Sequence, residues 1–418
     1  MELTVLKNGL RVALQEEKGF HSAAISIFIA AGNRYEESLN CGVSHFIEHM
    51  IFKGTITRST ADISAEADAL GGQLNAYTAK EYTCVYSRAL TEHVGRTLHL
   101  MCDMLKNPAF QYDCLQSEKG VILEEIGMYE DSPEDLCADL LTAVCYKNKP
   151  LGFNILGTRE TVFNMTDTAL REYMRKTYIP ERMVVSVCGN FDKAEVLNIL
   201  EQYFGDLKNT NNPLSYEHIS ISDGFSLCKK DIEQTQLSLC FNGLPIGHPL
   251  RFAASYFLTI SGGAASSRLN RRIREELGLA YSAYSFSSNF LGTGMFGISA
   301  GLSHKNQEKF LVEGLKIIND TKVNITPDEM MRTKDQFKAG VALSNESLSS
   351  KASSMGRQLL LENKYNDIET TLERIENVTL EEVYEAARLL TDPSKIAVSV
   401  VGDARDENYY KNIIEKYI

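Results

Sequence analysis

Val184-Val185-Ser186-Val187-Cys188-Gly189-Asn190 returns 213 positions later as Ala397-Val398-Ser399-Val400-Val401-Gly402-Asp403. Each copy is a short apolar, β-branched run stopped by Gly and then Asn or Asp, which reads as a buried strand ending in a turn. The helix before it recurs too: residues 168–177 with Pro180 correspond to 379–390 with Pro393. A looser echo sets Leu70-Gly71-Gly72 and the strand pattern 74–78 against Leu277-Gly278-Leu279-Ala280-Tyr281, again a helix ending in Gly before a strand. Self-similarity of this kind marks a duplicated unit. The expected fold is α+β, two homologous domains that are each a mainly antiparallel sheet packed with helices. They are expected over residues 1–209 and 223–418. The polar, aperiodic stretch that includes Asn209-Thr210-Asn211-Asn212-Pro213 supplies a linker at 210–222.

Length and composition agree with that division. A chain of 418 residues is too long for one typical core, and 44% hydrophobic with 23% charged residues is an ordinary globular balance. The formal charge of −12 argues against non-specific nucleic-acid binding and permits a preference for basic partners. No basic leader followed by an apolar run opens the sequence, and the longest apolar stretch, 23–31, is far too short to cross a membrane. Nine cysteines form no C-x-x-C pair, and most sit in apolar surroundings such as Val187-Cys188-Gly189. Free buried thiols in a reducing compartment are expected, and hence a cytoplasmic protein without membrane or nucleic-acid partners.

Within the first half, Lys7-Asn8-Gly9 predicts a hairpin over 3–16, and 22–31 reads as a buried strand. Helices are predicted from Gly42 to Gly54, over 61–70 with Ser59 or Thr60 as cap, over 91–106, and over 112–130. Ser132 and Pro133 restart a helix as cap and first residue. The period changes to two at 74–78 and 82–87, which predicts strands there.

The chemistry concentrates in Val43-Ser44-His45-Phe46-Ile47-Glu48-His49-Met50-Ile51-Phe52-Lys53. On a helix His45 and His49 share a face, with Glu48 one step round from His49. A catalytic zinc needs three protein ligands, an open position for water, and a base for that water's proton. The order His-x-x-Glu-His inverts the commoner His-Glu-x-x-His. For a third ligand the helix 112–130 offers Glu118, Glu124, Glu125 and Glu130. Glu118 and Glu125 lie about 20° apart around such a helix, whereas Glu124 points well away from Glu118. Spacing alone leaves the choice among them open. The histidine pair occurs in the first copy only, which suggests a site closed over by the other half or by another subunit.

The string Gly42 to Met50, the Gly32-Asn33-Arg34-Tyr35-Glu36 before it and the Asn75-Ala76-Tyr77-Thr78 after it resemble the pitrilysin or insulinase family of inverted-zincin metallopeptidases. The resemblance is strongest to the branch of the mitochondrial processing peptidase and the bacterial processing proteases. Ser267-Arg268-Leu269, with Arg274 and Tyr281 further on, matches the family's second half. The resemblance implies one Zn²⁺ per chain on His45, His49 and Glu125, the last within Val121-Ile122-Leu123-Glu124-Glu125 and 76 residues after His49. It implies Glu48 as catalytic base and Glu118 as a second acid beside the metal. It also implies substrate binding by Asn75, Ala76, Tyr77 and Thr78 as an edge strand for an extended peptide, and by Arg274 and Tyr281 approaching from the other half of a clamshell. For one chain carrying both sets it implies a homodimer with sites completed in trans. The expected function is a zinc-dependent endopeptidase hydrolysing peptides or leader segments inside a closed dimer chamber. The alternatives are a non-catalytic scaffold subunit, as in the respiratory cytochrome reductase complex, and the zinc-bearing half of a heterodimeric peptidase.

Overall fold

The computed structural model describes residues 1–71, 73–210 and 214–418. Gly72 of the expected helix stop and 211–213 of the expected linker lie outside the described residues.

Two sheets carry the fold. The first contains β1 (Glu2–Val5), β2 (Arg11–Glu16), β3 (Ser22–Ile29), β4 (Asn75–Thr78), β5 (Thr83–Leu90) and β6 (Met183–Gly189), in the order β1-β2-β6-β3-β5-β4. The second contains β7 (Gly224–Lys229), β8 (Thr235–Asn242), β9 (Ala280–Phe290), β10 (Thr293–Leu302) and β11 (Ile396–Gly402), in the order β7-β11-β8-β10-β9. Without the hairpin strand β1, the two orders are the same. Each has one parallel pair at the same place, β2 with β6 and β7 with β11, and the remaining pairs are antiparallel. The repeated sequence is therefore a repeated topology, α+β as expected.

The two echoed runs are β6 and β11, and their position explains their composition. A strand with neighbours on both edges and cover on both faces is apolar throughout rather than alternating. In β6, Met183, Val185 and Val187 enter the larger core of the first sheet, while Val184 and Cys188 enter a smaller one behind it. In β11, Val398 and Val400 face one core and Ala397 the other.

Contacts group the chain into two compact units that do not follow sequence order. One comprises Met1–Ile126, Phe153–Ser215 and Leu343–Asn366; the other comprises Gly127–Gly152, Tyr216–Ala342 and Asp367–Ile418. The rear face of each sheet is covered by a helix from the opposite half of the chain. Helix Leu348–Glu362, capped by Ser347, packs on β3 and β6. There Ser186 Oγ donates to Ala352 O at 2.7 Å, and Gly356 sits so close that an added β-carbon would lie 2.4 Å from the Phe28 ring. Helix Pro133–Cys145, capped by Ser132 as expected, packs on β11 and β8. Here Cys137 Sγ donates to Ser399 O at 3.4 Å. The echoed Ser186 and Ser399 thus occupy equivalent places under equivalent helices.

The other elements follow the expected pattern with small shifts. Residues Thr91–His93 form a 3₁₀ turn before the helix Val94–Lys106, and the long helix is Tyr112–Asp131. All nine cysteines are free, and no helix among the described residues is long and apolar enough to cross a membrane.

Candidate metal centre

The helix Val43–Met50 has only eight residues, so its ends need outside support. Gly42 precedes it at φ 90°, with Leu156 O only 2.6 Å from where a β-carbon would stand. Glycine is required there on both counts. The buried Glu36 carboxylate accepts the Gly42 N–H at 2.8 Å and the Ser44 N–H at 3.0 Å. It thereby satisfies donors that a helix start leaves unpaired, with a negative charge at the positive end of the dipole. Burial pushes the Glu36 carboxyl up, against these hydrogen bonds. Ser44 Oγ donates to the Tyr173 hydroxyl at 2.8 Å, and that hydroxyl also accepts the Gly32 N–H at 3.2 Å. The Gly32 to Glu36 string thus serves to anchor the start of the histidine helix.

On this helix His45 is 6% exposed, and its ring lies 4.6 Å from that of His49. His45 Nε2 is 3.6 Å from Glu125 Oε2, and His49 Nε2 is 3.5 Å from the same oxygen. The three residues can offer donor atoms that all lie within 4.8 Å of one another, and no other such group occurs among the described residues. Ligand atoms of a tetrahedral zinc with bonds of about 2.0–2.1 Å stand about 3.4 Å apart, so the two nitrogen–oxygen distances match that spacing, and two imidazole nitrogens with a carboxylate oxygen suit that ion in chemistry. Glu124 is not in the set. The same helix buries Leu115, Glu118, Ile122 and Ile126, so its inward face brings Glu118 to the histidines as well.

Glu118 Oε2 lies 3.0 Å from His49 Nδ1, and Glu118 Oε1 lies 2.7 Å from Lys53 Nζ. A carboxylate accepting from Nδ1 fixes the tautomer that leaves Nε2 free to ligate. Glu48 Oε2 accepts the Thr78 hydroxyl at 2.6 Å. Burial raises the Glu48 carboxyl above its usual value, against that hydrogen bond. His45 is depressed to about 4 by burial and then by the His49 ring, which keeps it neutral. For His49 burial works the same way, but hydrogen bonds to Glu125 and Glu118 lift it overall, and His49 in turn holds Glu125 low.

Asn75, Ala76 and Tyr77 continue from Thr78 along β4, which among the described residues pairs with β5 alone, at the end of its sheet. Asn75 is exposed, Ala76 is buried in the larger core, and Tyr77 packs on the opposite face. Arg274 and Tyr281 belong to the other compact unit. Arg274 stands on the wide π-helical turn Asn270–Glu276, its guanidinium 5.1 Å from the centre of the Tyr281 ring. Tyr281, at the start of the edge strand β9, is 80% exposed and takes no part in the core. No role for Lys53, Glu36 or Tyr173 is legible in the chain alone, although the first two stand within the quoted motifs.

Comparison with known proteins agrees with this geometry. Residues 11–159 match the family described as Insulinase (Peptidase family M16), and residues 164–337 match the Peptidase M16 inactive domain. The uncharacterized zinc protease YmxG of Bacillus subtilis is 38% identical over 386 residues, covering 92% of this chain and 94% of that protein. The chain belongs to the M16 peptidase family. Its other M16 relatives include the uncharacterized zinc protease Mb2805c of Mycobacterium bovis, 36% identical over 93% of this chain and 90% of that one. Among solved structures, the M16 inactive-domain protein from Pseudomonas fluorescens superposes with a TM-score of 0.90 at 20% identity, covering 97% of this chain and 98% of that one. A protease from Helicobacter pylori superposes at 0.87 with 20% identity, over 96% and 99%. These two likenesses concern the M16 fold, and the relatives at higher identity carry the family assignment.

Proposed function

We propose that this chain is a zinc-dependent endopeptidase acting on extended peptides or leader segments, with His45, His49 and Glu125 holding one zinc per chain. The observation that carries the reading is the convergence of both histidine Nε2 atoms on Glu125 Oε2 at 3.6 and 3.5 Å. Zinc bound there supplies Lewis acidity and brings a bound water's pKa toward neutrality. Glu48 accepts the proton of the attacking water. Thr78 orients the Glu48 carboxylate through Oε2, and a raised carboxyl suits a base working near neutral pH. The free edge of β4 takes the substrate backbone by strand addition, so recognition reads main chain more than sequence. Glu118 holds His49, and Tyr281 with Arg274, contributed by a second copy in a closed homodimer, bind the substrate and the charge developing on its carbonyl oxygen. Nine free cysteines favour a reducing, cytoplasmic setting.

The complete donor set and the presence of Glu48 speak against a non-catalytic scaffold. Arg274 and Tyr281 on the same chain speak against an obligate heterodimer. Metal analysis should return one zinc per chain, and the protein alone should cleave quenched peptides. Glu48→Gln should keep the zinc and lose cleavage; a Glu48→Gln protein that still cuts peptides sinks the mechanism.

A further inference from the structure

We infer that Lys53 is a positioning residue of the metal centre, acting on His49 through Glu118; this rests on the zinc reading above. Glu118 is buried, its side chain 5% exposed, and each of its oxygens has one charged or ligand partner. Oε2 faces His49 Nδ1 at 3.0 Å, and Oε1 is held by Lys53 Nζ at 2.7 Å. A buried carboxylate without a matching cation is costly, and one with a single anchored oxygen is free to turn about its last bond. Lys53 removes both problems. Its contact fixes the carboxylate plane, so that Oε2 stays on Nδ1 and the imidazole keeps Nε2 toward Glu125 Oε2.

The backbone around Lys53 is built to hold that contact. Lys53 N–H donates to Met50 O at 3.0 Å, closing a turn after the histidine helix. Gly54 follows at φ 119°, a conformation suited to glycine. Gly54 O accepts the Ala109 N–H at 3.0 Å, and Ile56 N–H donates to Asn107 O at 3.0 Å. The turn presenting Lys53 is therefore pinned to the segment leading into helix Tyr112–Asp131, which carries both Glu118 and Glu125. The histidine helix and the glutamate helix are tied by this backbone clamp and by the Lys53–Glu118–His49 chain of contacts.

The test uses the full-length protein and two readouts besides activity: the zinc dissociation constant against a chromophoric chelator, and the visible spectrum of the cobalt-substituted protein. Lys53→Met should weaken zinc by about 10- to 100-fold, as loss of an outer partner of a ligating histidine does, and should shift the cobalt bands. Lys53→Arg should recover most of the affinity and the wild-type spectrum. In a Glu118→Gln background, Lys53→Met should cost less than about twofold more, because the two residues act in series. Wild-type zinc affinity in Lys53→Met overturns the inference, and so does an undiminished loss in the Glu118→Gln background. A metal-free Lys53→Met protein that melts well below wild type and is not recovered by Lys53→Arg makes Lys53 a folding residue and also overturns it. Failure of the wild type itself to bind zinc would strike the zinc reading, a result distinct from all of these.

Discussion

Thr78, the last residue of the edge strand β4, donates its hydroxyl to Glu48 Oε2 at 2.6 Å. The strand proposed to take a peptide and the carboxylate proposed as base are thus in direct contact. Replacing Thr78 by Val leaves the shape and removes the donor to a largely buried carboxylate. That loss is worth about 1–3 kcal/mol, so kcat should fall about 5- to 150-fold with a smaller change in KM. Thr78→Ser should stay close to wild type. Steady-state kinetics on a quenched peptide decides, and an unchanged kcat in Thr78→Val refutes the coupling.

Glu36 closes the start of the histidine helix through Gly42 and Ser44. Glu36→Ala unpairs both N–H groups and should destabilise the protein by about 1–3 kcal/mol, the cost of a lost cap or of unsatisfied buried donors. Denaturant unfolding of the metal-free protein measures it. A midpoint equal to wild type would show that the helix start finds other support.

Arg268 grips Glu329 with two contacts of 2.7 Å and Asp320 with a third of the same length. Burial opposes ionisation of Glu329, but Arg268 and the Thr326 N–H outweigh it and hold the carboxyl at about 2, against an ordinary 4.5. A carboxyl lowered in the folded state stabilises above its unfolded value and loses that contribution as pH falls through the folded one. About 1–2 kcal/mol, after solvent screening of this partly exposed pair, should therefore be present above pH 4.5 and disappear toward pH 2. Glu329→Gln should lower stability near neutrality and flatten the acid dependence between those limits. Urea titrations across that range would show it, and parallel curves for the two proteins contradict it.

Mixing two inactive proteins tests the proposed homodimer. Glu48→Gln lacks the base and Arg274→Ala lacks a substrate contact, but a mixed dimer with trans sites contains one intact pair. Part of the activity should return on mixing under conditions where subunits exchange. If exchange is demonstrated and no activity returns, the trans arrangement is wrong.

Much of this was legible in the chain, for identifiable reasons. The duplication showed because β6 and β11 are central strands, whose apolar runs are set by burial on both faces. The histidine pair showed because four residues on a helix make one face, and helix phase set Glu125 apart from Glu124 with Glu118 beside it. The contacts that tune the site were not legible, since they cross large separations: Glu48 and Thr78 are 30 residues apart, and His49 and Glu118 are 69 apart. Glu36 stood in the quoted motif, yet nothing in its spacing says that a carboxylate folds back onto Gly42 and Ser44. An amphipathic helix announces that it will bury a face but not against which sheet, so the exchange of Leu348–Glu362 and Pro133–Cys145 was hidden as well.

That exchange sets a timetable for the nascent chain. When β6 has left the ribosome, the first sheet can pair all of its strands, yet Ala24, Phe28 and Val184 on its rear face still await Leu348–Glu362. Pro133–Cys145, by contrast, is made early and waits for β8 and β11. Through most of translation the growing polypeptide therefore carries one bare sheet face and one orphan helix, the kind of apolar surface that recruits chaperones or aggregates. A fragment cut between the two repeats would keep that exposure permanently, because the rear face of each sheet is covered by a helix from the other repeat.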